Sequence, residues 1–124
     1  MTNADSHPHV AVIERYLECL RNGDFEGAAD QFTADARYFH PPTFREEVEA
    51  VGRDAILAYF RENRGPRDID HTIERSVVDG DACAVKGRMT GGDVDGDEVF
   101  VSYAEIEDGR MSYYCAGFLK GTIG

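Results

Sequence analysis

The spacing of the apolar residues changes at Gly65-Pro66, and this change constrains the fold more than any other feature of the sequence. Before this point apolar residues recur every three to four positions, as they do on one face of an α-helix. After it they alternate with polar residues, in runs that are separated by glycine and aspartate, as in strands joined by tight turns. Helices followed by consecutive strands indicate an α+β domain, not alternating α/β units. We therefore expect one α+β domain over residues 1–124, with a frayed N-terminus at 1–7.

Three segments in the first half have the spacing of amphipathic helices. The first covers Pro8–Arg21 and ends at Asn22-Gly23, the second follows an N-cap at Asp24, and the third covers residues 53–63. Their apolar stripes are, in order, Val10, Ile13, Tyr16, Leu17 and Leu20; Phe25, Ala28, Ala29 and Phe32; and Ile56, Leu57 and Phe60.

The remaining segments are predicted to be mostly strands. A short strand covers residues 36–40 and ends at Pro41-Pro42, because proline donates no hydrogen bond to a sheet. The charged segment 43–51 is expected to form a helical turn or a flap. Four further strands are predicted to form an antiparallel meander, over residues 69–78, Ala82–Thr90, Glu98–Glu107 and 111–120.

The charge of the chain is strongly acidic, with 24 Asp and Glu against 13 Lys and Arg and a formal net charge of -11. Phosphate backbones would be repelled, so nucleic acid is not an expected partner. Lys86 and Lys120 are the only lysines, and scattered acids with little lysine predict a protein adapted to high salt, which screens self-repulsion. The sequence has no apolar run long enough for a membrane span and no signal-peptide pattern, so we expect a soluble, cytoplasmic protein without a membrane partner.

Metal or disulfide chemistry is not indicated by the spacing of the ligand-type residues. Cys19, Cys83 and Cys115 form no C-x-x-C pair and are expected to be reduced, largely buried thiols. Residues 93–97 resemble the start of an EF-hand loop, but the glycine stands at the fourth position and Ala104 occupies the twelfth, so an acidic hairpin loop is expected. The four histidines match no zinc pattern. No metal site and no cofactor are predicted.

Two histidines and four tyrosines are the candidates for a functional site. His40 and His71 lie in predicted strands, where a histidine is either a hydrogen-bonded structural residue or a general base. Tyr16 lies on the apolar face of the first helix, so its hydroxyl either bonds to the core or donates to a ligand in a cavity. The tyrosines that would line the same space are Tyr38, Tyr59 and Tyr114.

Several stretches of the sequence resemble a known family. Residues 10–16 and 23–36 are similar to the opening of steroid delta-isomerases and SnoaL-like polyketide cyclases, within the nuclear transport factor 2-like superfamily. Residues 52–56 resemble the start of that family's third helix, and residues 108–111 resemble its last hairpin. The resemblance implies a cone-shaped, bent antiparallel sheet that wraps over the N-terminal helices and encloses a pocket. Fold alone does not select among the isomerases, cyclases, dehydratases, epoxide hydrolases and binding domains of this superfamily.

Two site residues are implied by this resemblance. Tyr16 matches the tyrosine that serves the isomerases as an oxyanion-hole donor, and His40, directly before Pro41, matches their proton-shuttling aspartate. Ser102 stands where the isomerases have a second donor, a protonated aspartate, and a serine is the weaker donor. The resemblance therefore implies a carbonyl substrate other than a steroid.

Two functions remain open. The first is cofactor-free acid–base isomerisation or cyclisation of a small, mostly apolar carbonyl compound, with His40 as base and Tyr16 as donor. The residues expected to position the ligand are Tyr38, Tyr59, His71, Ser102 and Tyr114. The second is a module of the same fold that binds a small ligand or dimerises without catalysis. In either case, alternation along the last two strands leaves apolar or aromatic residues on the outer face of the sheet, and we expect a homodimer that forms through this face. These residues are Val99, Val101, Tyr103 and Tyr113.

Overall fold

The computed structural model describes residues 7–40, 48–94 and 98–120. Three α-helices are present: α1 (Pro8–Arg21), α2 (Phe25–Ala29) and α3 (Arg53–Tyr59), the last continued by a π-helical turn over Phe60–Arg64. The strands are β1 (Phe32–His40), β2 (Val48–Val51), β3 (Asp70–Asp79), β4 (Ala82–Thr90), β5 (Glu98–Glu107) and β6 (Arg110–Lys120). The α+β class and the bounds of α1, β4 and β5 are as predicted. No helix of this described part is long and apolar enough to cross a membrane.

The junction between α2 and β1 differs from the prediction. The Asp24 side chain caps α2 by accepting a hydrogen bond from the Gly27 N–H at 2.9 Å, as expected. Phe32, however, belongs to β1 and not to the stripe of α2, so β1 is longer than the predicted strand 36–40. The Phe32 carbonyl accepts two hydrogen bonds from the Arg53 guanidinium, at 2.7 and 3.1 Å, which hold it in the extended chain. Its ring is fully buried. An apolar residue is also expected at the corresponding position of a helix, so the apolar pattern did not distinguish a helix from a strand here.

The six strands form one curved, unclosed sheet in the order β2-β1-β6-β5-β4-β3. Strands β3 to β6 form the predicted antiparallel meander. The sheet as a whole is mixed, because β1 pairs with β6 in parallel, and this corrects the prediction of a purely antiparallel sheet. Part of segment 43–51, expected to be a helical turn or flap, is the edge strand β2, which pairs antiparallel with β1. Residues 41–47 lie outside the described residues.

Alternation along the strands separates two faces of the sheet. The inner face packs against α1 and α3 and carries the buried side chains, among them Tyr38, Cys83, Val85, Phe100, Ala104 and Tyr114. From α1 the fully or nearly fully buried residues Val12, Ile13 and Tyr16 complete this core. The outer face is more exposed. Candidate site residues therefore fall on the inner face, beneath the helices.

Candidate functional site

Four hydroxyl groups from four different elements meet on the inner face of the sheet. The hydroxyls of Tyr16 and Tyr38 lie 3.1 Å apart, and those of Ser102 and Tyr114 lie 2.8 Å apart. Contact between the rings of Tyr16 and Tyr114 brings the two pairs together. The three tyrosines are each 2% exposed and Ser102 is 1% exposed. We call these four residues the hydroxyl network; they are four of the seven site residues predicted from the sequence.

Strand register explains why these hydroxyls meet. Tyr38 on β1 pairs with Tyr114 on the parallel strand β6, and their rings stack at 5.6 Å with an angle of 12°. Tyr114 faces Ala104 on β5, whose small side chain leaves room for the ring, and Ser102 lies two residues along on the same face. Tyr16 reaches the group from α1 and meets the Tyr114 ring edge-on at 5.0 Å. The parallel pairing of β1 with β6 thus assembles the network.

Aromatic rings surround the network on the side of the helices. Phe32 meets the Tyr16 ring perpendicularly at 5.4 Å, and Phe60 meets the Tyr38 ring at 5.6 Å and 89°. Tyr59, also a predicted site residue, contacts the Tyr38 ring at 5.5 Å and is half-buried. Tyr59 and Phe60 are consecutive, and both face the core where α3 passes into the π-helical turn. Such turns are frequent at functional sites.

The network is an uncharged hydrogen-bond donor at neutral pH. Burial raises the pKa of Tyr114, and this outweighs the opposite effect of the neighbouring Ser102 and Tyr16 hydroxyls. Ser102 is the one buried side chain of the polar and charged types among residues 7–40, 48–94 and 98–120. The described interior is therefore suited to a neutral ligand oxygen and offers no buried charge to a carboxylate.

The two predicted histidines lie on β3 and at the end of β1. His71 on β3 is half-buried and meets the Phe100 ring edge-on at 5.0 Å. Phe100 lies two residues before Ser102 and packs over Gly87, where an added Cβ would stand 2.7 Å from its ring. The His40 backbone ends β1 and pairs with Val48, but its side chain lies outside the described residues, so its role stays a prediction.

The outer face of the sheet carries an open, apolar hollow of about 320 Å³. It is lined by Phe39, Ala84, Val101, Ser102, Tyr103, Cys115, Ala116 and Gly117. Val101 is 41% exposed, and the rings of Tyr103 and Tyr113 lie 6.0 Å apart, as expected for this face. Val99, predicted to be exposed there, is instead buried, with 8% of its surface accessible. Phe39 and Cys115 were not predicted to lie in this hollow, although Cys115 alternates in phase with Tyr113 and Phe39 pairs with Cys115.

Ligand-type side chains do not cluster in the described ranges 7–40, 48–94 and 98–120: no group of three or more His, Cys, Asp or Glu could hold a metal ion there. Cys83 is buried as predicted, whereas Cys19 and Cys115 are only half-buried. Burial raises the pKa of the Cys19 and Cys83 thiols, which disfavours the nucleophilic thiolate form at neutral pH.

Comparison with known proteins gives both a family and a set of similar folds. Residues 13–114 match the family model of the SnoaL-like domain. A comparison with curated proteins found no significant match. Among solved structures, a proposed ketosteroid isomerase from Kribbella flavida is 27% identical, with a TM-score of 0.71 over 99% of this chain and 86% of that one.

Two further solved structures resemble the chain in fold alone, because their sequence identity is low. A proposed polyketide cyclase from Sinorhizobium meliloti is 18% identical, with a TM-score of 0.73 over 94% of this chain and all of that one (100%). An LEH-like epoxide hydrolase from M. tuberculosis is 20% identical, with a TM-score of 0.70 over 90% of this chain and 82% of that one. These neighbours differ in the chemistry that their names describe, so the function has to be argued from the site.

Proposed function

The chain belongs to the SnoaL-like domain family, and on that premise we propose that it binds a small, mostly apolar carbonyl compound and catalyses its cofactor-free isomerisation or cyclisation by acid–base chemistry. The observation that carries the proposal is the buried hydroxyl network. Ketone oxygens accept hydrogen bonds, and they accept them more strongly once an adjacent C–H proton is removed and charge develops on the oxygen. Neutral hydroxyls in a water-poor interior are suited to that task.

The proton count of the network favours an acceptor as its ligand. Each pair of hydroxyls, Tyr16 with Tyr38 and Ser102 with Tyr114, carries two protons and uses one of them in the hydrogen bond that joins the pair. Each pair therefore has a second proton, which it donates to an acceptor outside the pair. In our proposal the ligand's carbonyl oxygen is such an acceptor, and Tyr16 is the donor.

The proposed base is His40, which removes the proton next to the carbonyl group. Neutral imidazole accepts a proton near neutral pH, and the phenol of Tyr16 stabilises the enolate that results. The proton then returns to a different carbon, which completes an isomerisation, or the enolate attacks a second carbonyl carbon, which closes a ring. Ligand-positioning roles are proposed for Tyr38, Tyr59, His71, Ser102 and Tyr114.

The alternative is a small-ligand-binding module without catalysis. One observation favours it: the hydroxyls of the network bond to each other and are at most 2% exposed, which is also how structural hydroxyls in a core are satisfied. In that case the network specifies the packing of β1, β5, β6 and α1, and ligand binding depends on other contacts.

Exchange of α-protons with deuterated water, followed by NMR over a panel of ketones, distinguishes the two functions without knowledge of the product. His40→Ala should slow exchange by about 10²–10⁴, the usual loss for a general base. Tyr16→Phe should raise the barrier by about 2.7–4 kcal/mol, as for an oxyanion-hole donor. His9→Ala, at the start of α1, is the matched control and should leave the rate unchanged. A ketone that binds but exchanges equally fast with wild type and His40→Ala would establish the binding module instead.

We further propose that the chain forms a homodimer through the outer sheet face. The apolar hollow lies on that face, and Arg37 on β1 forms an ion pair with Glu49 at 2.6 Å. Two copies that each carry a net charge of -11 repel one another, so an apolar face is the favourable place for them to meet. A second copy would cover the exposed Val101 and the half-buried Tyr103 and Tyr113 of this face.

A further inference from the structure

Two loops at one end of the sheet bond closely to each other. Residues 65–69 join the π-helical turn to β3, and residues 91–94 follow β4. The Asp68 N–H donates a hydrogen bond to the Asp93 carboxylate at 2.7 Å, and the Asp93 N–H donates to the Asp68 carbonyl at 3.1 Å. The Asp68 carboxylate also accepts from the Gly92 N–H at 2.9 Å. We call residues 65–69 and 91–94 the paired loops.

Arg21 ties the paired loops to the first helix. It is the last residue of α1 and forms ion pairs with Asp68 at 3.1 Å and with Asp70, the first residue of β3, at 2.7 Å. The three side chains are about half exposed, and exposed ion pairs stabilise a fold only slightly. The fit is nevertheless close, because Gly91 has a φ of +128° and an added Cβ would clash with the Asp68 carbonyl oxygen. The loops are thus closely fitted but held largely by exposed polar groups.

Polar and apolar groups of the paired loops lie on opposite sides. Asp68 and Asp93 are exposed, whereas Ile69 and Val94 are half-buried and pack against the hydrophobic core. The three tyrosines of the hydroxyl network belong to the same core. The loops therefore cover the core with two aliphatic side chains and bond to each other on the solvent side.

The paired loops lie at the end of the sheet where β1 finishes. β3 begins and β4 ends there, because Asp70 pairs with Thr90. β5 begins at Glu98, opposite Lys120 at the end of β6, and β6 runs parallel to β1. His40, the last residue of β1 and the proposed base, therefore belongs to the same end of the sheet as the loops.

A ligand needs a route to the hydroxyl network, whose members are at most 2% exposed. Phe32 and Phe60, which pack beside it, are fully buried, so their movement would expose whole aromatic rings to water. Movement of the paired loops exposes two half-buried aliphatic side chains and breaks polar contacts that water can replace. The paired loops therefore open at a lower cost in free energy than these rings.

We propose that the paired loops are the lid of the ligand site, latched by Arg21 and by the bonds between Asp68 and Asp93. Opening admits the ligand to the hydroxyl network, and closure excludes water, which strengthens the hydrogen bonds that the hydroxyls donate. Since a lid has a purpose only if a ligand binds beneath it, this inference rests on the proposed function of the network. Arg21, Asp68 and Asp93 act on the entry of the ligand and not on its chemistry.

A reversible disulfide across the paired loops tests the lid. Asp68→Cys with Asp93→Cys places two thiols on backbones that hydrogen-bond at 3.1 Å, a separation that a disulfide can span. Oxidation should slow exchange of the α-protons of β-tetralone, a bicyclic ketone, about tenfold or more, and a reductant should restore the rate. Wild type treated with the same oxidant is the control and should keep its rate. If the variant exchanges β-tetralone equally fast with its disulfide formed and reduced, the lid is wrong.

Access of water to the network is a second readout, which does not depend on the chemistry of the ligand. In protein labelled with ¹³C-tyrosine, NMR measures how fast the Tyr114 hydroxyl proton exchanges with water. The disulfide should slow this exchange, and Arg21→Gln, which removes two ion pairs of the latch, should speed it about fivefold. Arg37→Gln, which removes an exposed ion pair with Glu49, is the matched control and should leave it unchanged.

The two readouts separate failure of the lid from failure of the proposed function. If the Tyr114 hydroxyl proton exchanges no faster in Arg21→Gln than in Arg37→Gln, the lid is wrong whatever the enzyme does. If it exchanges faster while the wild type leaves β-tetralone unexchanged, the lid stands and the carbonyl chemistry fails for this ketone. Arg21→Gln also keeps the test decisive should the double cysteine variant fold poorly.

Discussion

Removal of the Tyr114 hydroxyl should destabilise the fold, and removal of its partner hydroxyl should restore most of the loss. Tyr114→Phe keeps the ring that stacks on Tyr38 but leaves the buried Ser102 hydroxyl without its hydrogen-bond partner 2.8 Å away. An unsatisfied buried donor costs about 1–3 kcal/mol. For a domain of this size each kcal/mol lowers the melting temperature by about 4 °C. We therefore expect the melting temperature of Tyr114→Phe to fall by about 8 °C.

Addition of Ser102→Ala to Tyr114→Phe should recover this loss, because the orphaned hydroxyl is then absent. Replacing both partners of a buried hydrogen bond by apolar groups of similar shape is nearly neutral. Thus we expect the double variant to melt within about 4 °C of the wild type, above the single variant Tyr114→Phe. Urea and thermal unfolding followed by circular dichroism measure this difference.

A matched control removes a tyrosine hydroxyl from the other face of the sheet. Tyr103 donates to the exposed Glu105 carboxylate at 2.7 Å, so Tyr103→Phe should change the free energy of unfolding by less than about 0.5 kcal/mol. The reasoning is refuted if the double variant is no more stable than Tyr114→Phe. Such a result would mean that Ser102 finds another acceptor, and that the cost lies in the ring packing.

Three further outcomes are expected. Molar KCl should raise the melting temperature, because it screens the net charge of -11; a flat or falling value would exclude adaptation to salt. The free energy of unfolding should fall as the pH rises above about 10, because burial raises the pKa of Tyr114 and the hydrogen bond to Glu105 raises that of Tyr103, whereas unfolded tyrosines ionise near 10. Below that pH this contribution is fully present, and Tyr114→Phe should lessen the alkaline loss in urea titrations. Light scattering at micromolar concentration should give twice the mass of one chain, and Val101→Asp should give a single chain; a monomeric wild type rules out the dimer.

Periodicity alone predicted most of the elements, because their buried faces are set by local spacing. The bounds of α1 follow from its apolar stripe and from Asn22-Gly23, and Asp24 caps α2 as its side chain requires. Phe32 was assigned to α2 and not to β1, because position i+7 of an amphipathic helix and the first buried position of a strand both favour an apolar residue. The edge strand β2 was missed because its four residues are too few to show alternation.

The sequence predicted which residues belong to the candidate site, but not which of them contact one another. Tyr16, Tyr38, Ser102 and Tyr114 were each predicted to belong to the site, yet no local pattern predicts that Tyr38 pairs with Tyr114 in parallel. That pairing depends on contacts between distant parts of the chain, and it decides which hydroxyls bond to one another. For the same reason the contact between the rings of His71 and Phe100 could not be inferred from the position of His71 in a strand.

The parallel pairing of β1 with β6 also governs the order in which the molecule can assemble. β1 is among the first elements of the chain to be made, but its partner β6 is the last strand. Until β6 is complete, one edge of β1 exposes unpaired N–H and C=O groups, which invites aggregation. Closure of such a long loop is entropically slow, so we infer that docking of β6 limits the folding rate. The same step brings Tyr38 to Tyr114, and the hydroxyl network is therefore absent from every folding intermediate that lacks β6.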